Sequence, residues 1–124
     1  MSSVRIHPAP VQPGGPPIVV AGRRSAAMRR AAILGDGWMP YLYSPKRYAA
    51  SVREVQAHAE PAERNLSSFA WMAFVVVNVQ QRADEARADA AAFLAGSFNQ
   101  DVDQFLDRVA AVGTPEQLAL TSGA

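Results

Sequence analysis

The sequence has no cysteine, only two histidines in 124 residues, and just 19% charged side chains. Lack of cysteine excludes disulfides, thiolate metal sites and a cysteine nucleophile. His7 and His58 read as solvated side chains, so no metal is expected. Strong charge of either sign is also missing. The formal charge is +1 with both signs mixed along the chain, which argues against nucleic acid or an acidic membrane as the main partner. No long hydrophobic run occurs either. The longest uncharged apolar stretch, Phe69 to Val79, is shorter than the about 20 residues of a membrane-spanning helix. Met1-Ser2-Ser3-Val4-Arg5 lacks the apolar core of a signal peptide, so a cytoplasmic protein is expected. What is present is an apolar fraction of 49%. That is too high for a disordered chain, and the length suits one domain.

Residues 1–16 read as an extended arm. Pro8, Pro10, Pro13 and Pro16 remove backbone donors, and Gly14-Gly15 raises the entropy cost of ordering. Residues 17–124 read as α/β. Ile18-Val19-Val20-Ala21 is a short apolar run ended by Gly22, as for a strand buried on both faces. A helix follows, capped by Ser25, with Met28, Ala31, Ala32 and Leu34 on one stripe and Gly35 as a left-handed stop. Asp36-Gly37-Trp38-Met39-Pro40 returns to extended chain. Ser44-Pro45 opens a second helix, with Tyr48, Val52, Val55 and Ala59 at helical spacing and Pro61 at its end. Phe69 to Val79 is β-branched, aromatic and uncharged, which predicts one strand covered on both faces. Two helical stripes come next. Ala83, Ala86, Ala90, Phe93 and Leu94 are closed by Gly96; Val102, Phe105, Leu106, Val109 and Val112 are closed by Gly113. Thr114-Pro115-Glu116-Gln117 is a capping box with proline at the first helical position. Strands alternating with helices are the grammar of a parallel α/β fold.

Chemistry is sparse. The acidic residues Asp84, Glu85, Asp89, Asp101, Asp103 and Asp107 are spread along predicted helices and read as a solvated surface. No serine lies in a G-x-S-x-G elbow, and no catalytic residue is identifiable. One position stands out. The strand ending at Ala21 runs through Gly22, Arg23 and Arg24 into a helix opening near Ser25. In a parallel α/β fold ligands bind at such carboxyl ends of strands. Glycine permits close approach, and free helix-start amides, here near Ala26 and Ala27, can donate to phosphate oxygens. The competing reading is a plain turn with solvated arginines. Trp38 could line a flat ring at a strand mouth, but its spacing favours a core residue, as does that of Trp71.

Pro16-Pro17-Ile18-Val19-Val20-Ala21-Gly22, Ser25-Ala26-Ala27-Met28-Arg29-Arg30-Ala31-Ala32 and Gly35-Asp36-Gly37-Trp38-Met39-Pro40 stand in that order. Ser44-Pro45, the Phe69–Val79 run and Gly113-Thr114-Pro115-Glu116-Gln117 follow. This ordered set, from Pro16 to Leu120, resembles the luciferase-like monooxygenase superfamily. The resemblance implies a partial (β/α)₈ barrel, about three parallel strands with flanking helices. It implies FMN or a deazaflavin coenzyme, with the phosphate or nearby polar groups held at Gly22, Arg23, Ser25 and Ala26. Ala21 stands where the family pattern has a first glycine, which implies a tighter or shifted approach. By the same resemblance Trp38, Met39 and Pro40 lie close to coenzyme or substrate.

Barrels of this class run to about 250 residues, and the matched part corresponds to roughly the fifth to seventh strands. Strand number, tilt and stagger must agree for closure, so this set leaves open edges and an apolar face. The expectation is therefore a homo-oligomer, or a complex with a separately encoded N-terminal half. The implied function is the coenzyme-binding portion of a flavin- or deazaflavin-dependent oxidoreductase, transferring hydride or activating oxygen on a small organic substrate. The alternative is a non-catalytic assembly module or a truncated relic.

Overall fold

The computed structural model describes residues 7–8, 10–99 and 101–121. Residues 1–6 and 9 of the expected arm lie outside them. Among the described residues are five short strands and five α-helices, in the order β1 (Val19–Ala21), α1 (Ser25–Leu34), β2 (Gly37–Met39), α2 (Pro45–Ala59, continued by a 3-10 turn at Glu60–Ala62), β3 (Ala70–Trp71), β4 (Val76–Val79), α3 (Ala83–Phe98), α4 (Leu106–Val109), β5 (Ala110–Gly113) and α5 (Pro115–Thr121). All strand pairs are parallel. β1, β2 and β3 form one sheet, with Val20 opposite Trp38 and Trp38 opposite Trp71. β4 and β5 form a second, running from Val76 opposite Ala110 to Val79 opposite Gly113. The two sheets form an open barrel fragment with helices alongside, as the resemblance implied.

The core divides in the same way. Trp38 is fully buried among Met28, Ala31 and Ala32 of α1 and Val55 and Ala59 of α2, with Val20 and Trp71 packed against them. Strand periodicity explains this: Val20, Trp38 and Trp71 share one register line, so all three point to the helices. The core reading holds for Trp38, whereas Trp71 is only partly buried at the edge of the same cluster. The second cluster joins Ala90 and Leu94 of α3 to Leu42, Val102 and Leu106.

Several expectations change. Phe69–Val79 is not one strand. Its first part pairs with β2, where the Met72 and Phe74 amides donate to the Trp38 and Pro40 carbonyls at 3.0 and 3.2 Å. In this register the Met72 carbonyl should receive the amide of residue 40, which proline lacks, so the ladder is interrupted there and resumes only as a Tyr41–Phe74 bridge, while β4 pairs with β5. Nor is the run covered on both faces: Met72, Phe74, Val75, Val77 and Val79 are all exposed. β1 begins at Val19 and is half-buried, not enclosed. The β1 and β4 faces lack the further layer that a closed barrel supplies.

Helix ends differ too. Gly35 has extended backbone, φ −94° and ψ 164°, because Arg64 caps α1. Its guanidinium donates to the Ile33 and Gly35 carbonyls at 2.7 and 3.0 Å, so no left-handed residue is required. Glycine is needed at position 35 for space: a Cβ would lie 3.0 Å from Val20 Cγ2 and 3.1 Å from the Ala31 carbonyl. Gly96 lies within α3, which ends at Asn99 in the left-handed region with φ 48°. The stripe from Val102 to Val112 is not one helix. Only Leu106–Val109 is helical, and Val112 sits in β5, where pairing with β4 overrides the helical spacing. Two signals hold as read. The Ser44 hydroxyl accepts from the Arg47 amide at 3.3 Å with Pro45 in the first turn of α2. The Thr114 amide donates to Gln117 Oε1 at 2.9 Å, and the Gln117 amide donates back to Thr114 Oγ1 at 3.4 Å.

Candidate functional site

The turn from β1 into α1 is pinned from below. Gly22 has φ 139°, a conformation that side chains rarely adopt, and a Cβ there would lie 2.7 Å from Ala27 Cβ. Glycine therefore lets α1 start directly against the strand end. Ala21 stays in the strand opposite Met39, so the whole reversal falls on Gly22. The buried Trp38 indole N–H donates to the Gly22 carbonyl at 2.9 Å, and the Tyr43 hydroxyl to the Arg23 carbonyl at 3.2 Å. Both carbonyls thus face the core, held by aromatic side chains.

Arg24 is the N-cap of α1, with φ −102° and ψ 152° and no side-chain capping bond. Ser25 was expected in that role. It is instead the first helical residue, and its hydroxyl lies 3.3 Å from His58 Nε2 on α2. The amides of Ala27 and Met28 both donate to the Arg24 carbonyl, at 2.9 and 3.2 Å. The Ala27 amide is therefore engaged, not free as expected. Among the described residues the Ser25 and Ala26 amides have no acceptor. The first turn of α1 also contains no acidic residue. A helix start carries about half a positive charge, here with no carboxylate to offset it.

A concavity of about 450 Å³ opens at this point, bordered by Ala21, Gly22, Ala26, Tyr41 and the arginines Arg23, Arg24, Arg30 and Arg47. No acidic side chain lines it, and among the described residues none of these four arginines forms a salt bridge. Two are oriented by aromatic rings: Arg23 lies 4.7 Å from the Tyr41 ring centre and Arg47 4.5 Å from that of Tyr43. The intervening Leu42 has φ 50° with its side chain buried, a costly backbone for a branched residue. That turn places Tyr41 and Tyr43 on either side of it, each beneath one guanidinium. Of the predicted residues, Gly22, Arg23 and Ala26 line the concavity, whereas the Ser25 hydroxyl faces α2. Sequence reasoning missed Arg30 and Arg47. Arg30 was findable, one helical turn beyond Ala26; Arg47 reaches the site only through the packing of α2 on α1. His58, read as a solvated side chain, is partly covered and lies 3.7 Å from Glu54 as well as beside Ser25.

The model of the luciferase-like monooxygenase family matches residues 2–120. The chain belongs to that family. Solved structures agree on the fold. A coenzyme F420 dependent tetrahydromethanopterin reductase from Methanopyrus kandleri is 18% identical with a TM-score of 0.57, covering 74% of this chain and 26% of that one. The long-chain alkane monooxygenase LadA is 18% identical at TM-score 0.60, covering 87% and 33%. DmoA from Hyphomicrobium sulfonivorans is 15% identical at TM-score 0.56, covering 86% and 34%. The chain thus spans a quarter to a third of the length of these proteins. No curated protein matches it in sequence. Among the described residues no helix is long and apolar enough to cross a membrane.

Proposed function

We propose that this chain is the coenzyme-binding portion of a flavin- or deazaflavin-dependent oxidoreductase, holding the coenzyme phosphate at the β1–α1 turn. The observation that carries this reading is the acid-free concavity where four arginines meet the start of α1. Its donor set fits a phosphate. Guanidinium groups of Arg23 and Arg30 supply charge-assisted hydrogen bonds, and the Ser25 and Ala26 amides supply directed donors. Gly22 sets the approach of strand and helix. A bound flavin-type coenzyme supplies the hydride-transfer or oxygen-activating chemistry, and the protein's part is anchoring, orientation and exclusion of water. Trp38 and Tyr43 act from beneath, fixing the turn so that little ordering is required when an anion arrives. Which coenzyme is used is decided by titration. Adding FMN or a deazaflavin coenzyme to the purified chain, with flavin fluorescence as readout, should give saturable binding that weakens about tenfold or more in Arg30→Ala. No saturation with either coenzyme would overturn the proposal.

A second reading, a non-catalytic assembly module, rests on a different observation: the exposed apolar strand residues Met72, Phe74, Val75, Val77 and Val79. Contiguous exposed apolar surface marks an interface, for a second copy of this chain or for a separately encoded N-terminal half. Sedimentation velocity should show self-association; a stable monomer that also fails to bind coenzyme would leave neither reading standing.

A further inference from the structure

The Tyr41 ring carries the Arg23 guanidinium at 4.7 Å and also stacks on Phe98, with ring centres 5.7 Å apart and planes inclined by 9°. Phe98 is the last residue of α3. We propose that Phe98 is a positioning residue for the anion site, acting through Tyr41 on Arg23. This rests on the reading of the β1–α1 concavity as a phosphate site, a space that Phe98 itself does not line.

An arginine side chain loses much rotamer freedom when it is fixed, so an anion site gains from one already held in place. Among the described residues no ion pair orders Arg23. The Tyr41 ring does so instead. That ring is 37% exposed and needs support of its own. Little comes from the sheet, because beyond Pro40 the ladder offers only the Tyr41–Phe74 bridge. The support comes from α3. Asn99 takes the left-handed conformation, so the helix stops directly after Phe98. Phe98 packs against the second core cluster, the one that buries Leu42. Two adjacent residues of one turn are thus fastened to the same cluster, Tyr41 through Phe98 and Leu42 through its own side chain. A φ of 50° at a branched residue persists only where its surroundings over-determine it. Offset stacking on Phe98 completes that constraint and keeps Tyr41 under Arg23. Removing the Phe98 ring would free Tyr41 and release Arg23 without deleting any donor of the site.

Fluorescence titration of the full chain with FMN and with riboflavin, alongside nuclear magnetic resonance of the free chain, tests this. Phe98→Leu should weaken FMN about threefold and leave riboflavin within about 1.5-fold. The Arg23 side-chain protons, shifted upfield by the Tyr41 ring current, should move toward their unshielded positions. Phe98→Tyr, which keeps the ring, should restore both FMN affinity and the Arg23 shift. In an Arg23→Ala background Phe98→Leu should weaken FMN no further. Where Phe98→Leu does not fold, Phe98→Met removes the ring with an adaptable unbranched chain and carries the same expectations. Four results would each overturn the role of Phe98 while the phosphate reading stands: no loss of FMN affinity, equal loss for both flavins, an unmoved Arg23 resonance, or an undiminished loss in the Arg23→Ala background. Equal affinity of the wild-type chain for FMN and riboflavin overturns the phosphate reading instead, and the role of Phe98 with it.

Discussion

Gly22→Ala, paired with Ala27→Gly, tests how the β1–α1 turn is built. Two costs fall on Gly22→Ala. The backbone angle of 139° is strained for any residue with a Cβ, worth about 1–3 kcal/mol. The new methyl would also lie 2.7 Å from Ala27 Cβ, against an ordinary carbon contact of about 3.5–4.0 Å. Relief needs α1 to withdraw by roughly 1 Å, and overpacking of this kind costs about 1–3 kcal/mol. The single variant should therefore lose about 2–6 kcal/mol. Ala27→Gly alone loses about 1–2 kcal/mol, from helix propensity and a buried methyl. In the double variant the steric part vanishes while the backbone part remains. Urea denaturation of all four proteins should thus show a double variant more stable than the sum of singles by at least about 1 kcal/mol. Additivity within about 0.5 kcal/mol would refute the steric account of why glycine stands there.

Two further outcomes follow from the same structure. Arg64→Ala leaves the Ile33 and Gly35 carbonyls without their donor and should cost about 1–3 kcal/mol in thermal or urea unfolding; unchanged stability would remove Arg64 as the cap of α1. Burial of Tyr48, stacked on Trp38 at 5.6 Å, raises its phenol above the ordinary value of 10.0. The folded state then holds that proton more tightly than the unfolded state. The resulting stability is full below about pH 10 and lost as pH rises through the folded value. Urea midpoints should fall more steeply above about pH 10 in wild type than in Tyr48→Phe, and identical slopes would contradict the burial.

Much of this fold was legible because short-range rules dominate where they are unopposed. Ser44-Pro45 and Thr114-Pro115-Glu116-Gln117 behave as read, since a cap is settled by residues three apart. Trp38 was legible as core from its spacing in a short extended segment. The misreadings share one cause, a distant partner. Arg64 supplies the cap that Gly35 was expected to provide. Pro40, far from Phe69–Val79 in sequence, interrupts the ladder along that run by withholding one donor. β4 draws Ala110–Gly113 out of a helical stripe. The candidate site divides likewise. Gly22, Arg23 and Ala26 were visible as a local strand–glycine–helix pattern, whereas Arg47 and the two tyrosines under the guanidinium groups arrive through tertiary packing. Ser25 looked like the cap because serine commonly is, but Arg24 precedes the first helical turn and takes that place.

The decisive comparison is between riboflavin and FMN, which differ only in the phosphate, titrated against the chain at low and high salt. Cationic anchoring of a phosphate predicts at least a tenfold advantage for FMN at low salt, shrinking as salt rises and abolished in Arg23→Ala/Arg30→Ala. Equal affinities for the two flavins at every salt concentration would mean that the arginine-lined turn does not hold the coenzyme phosphate.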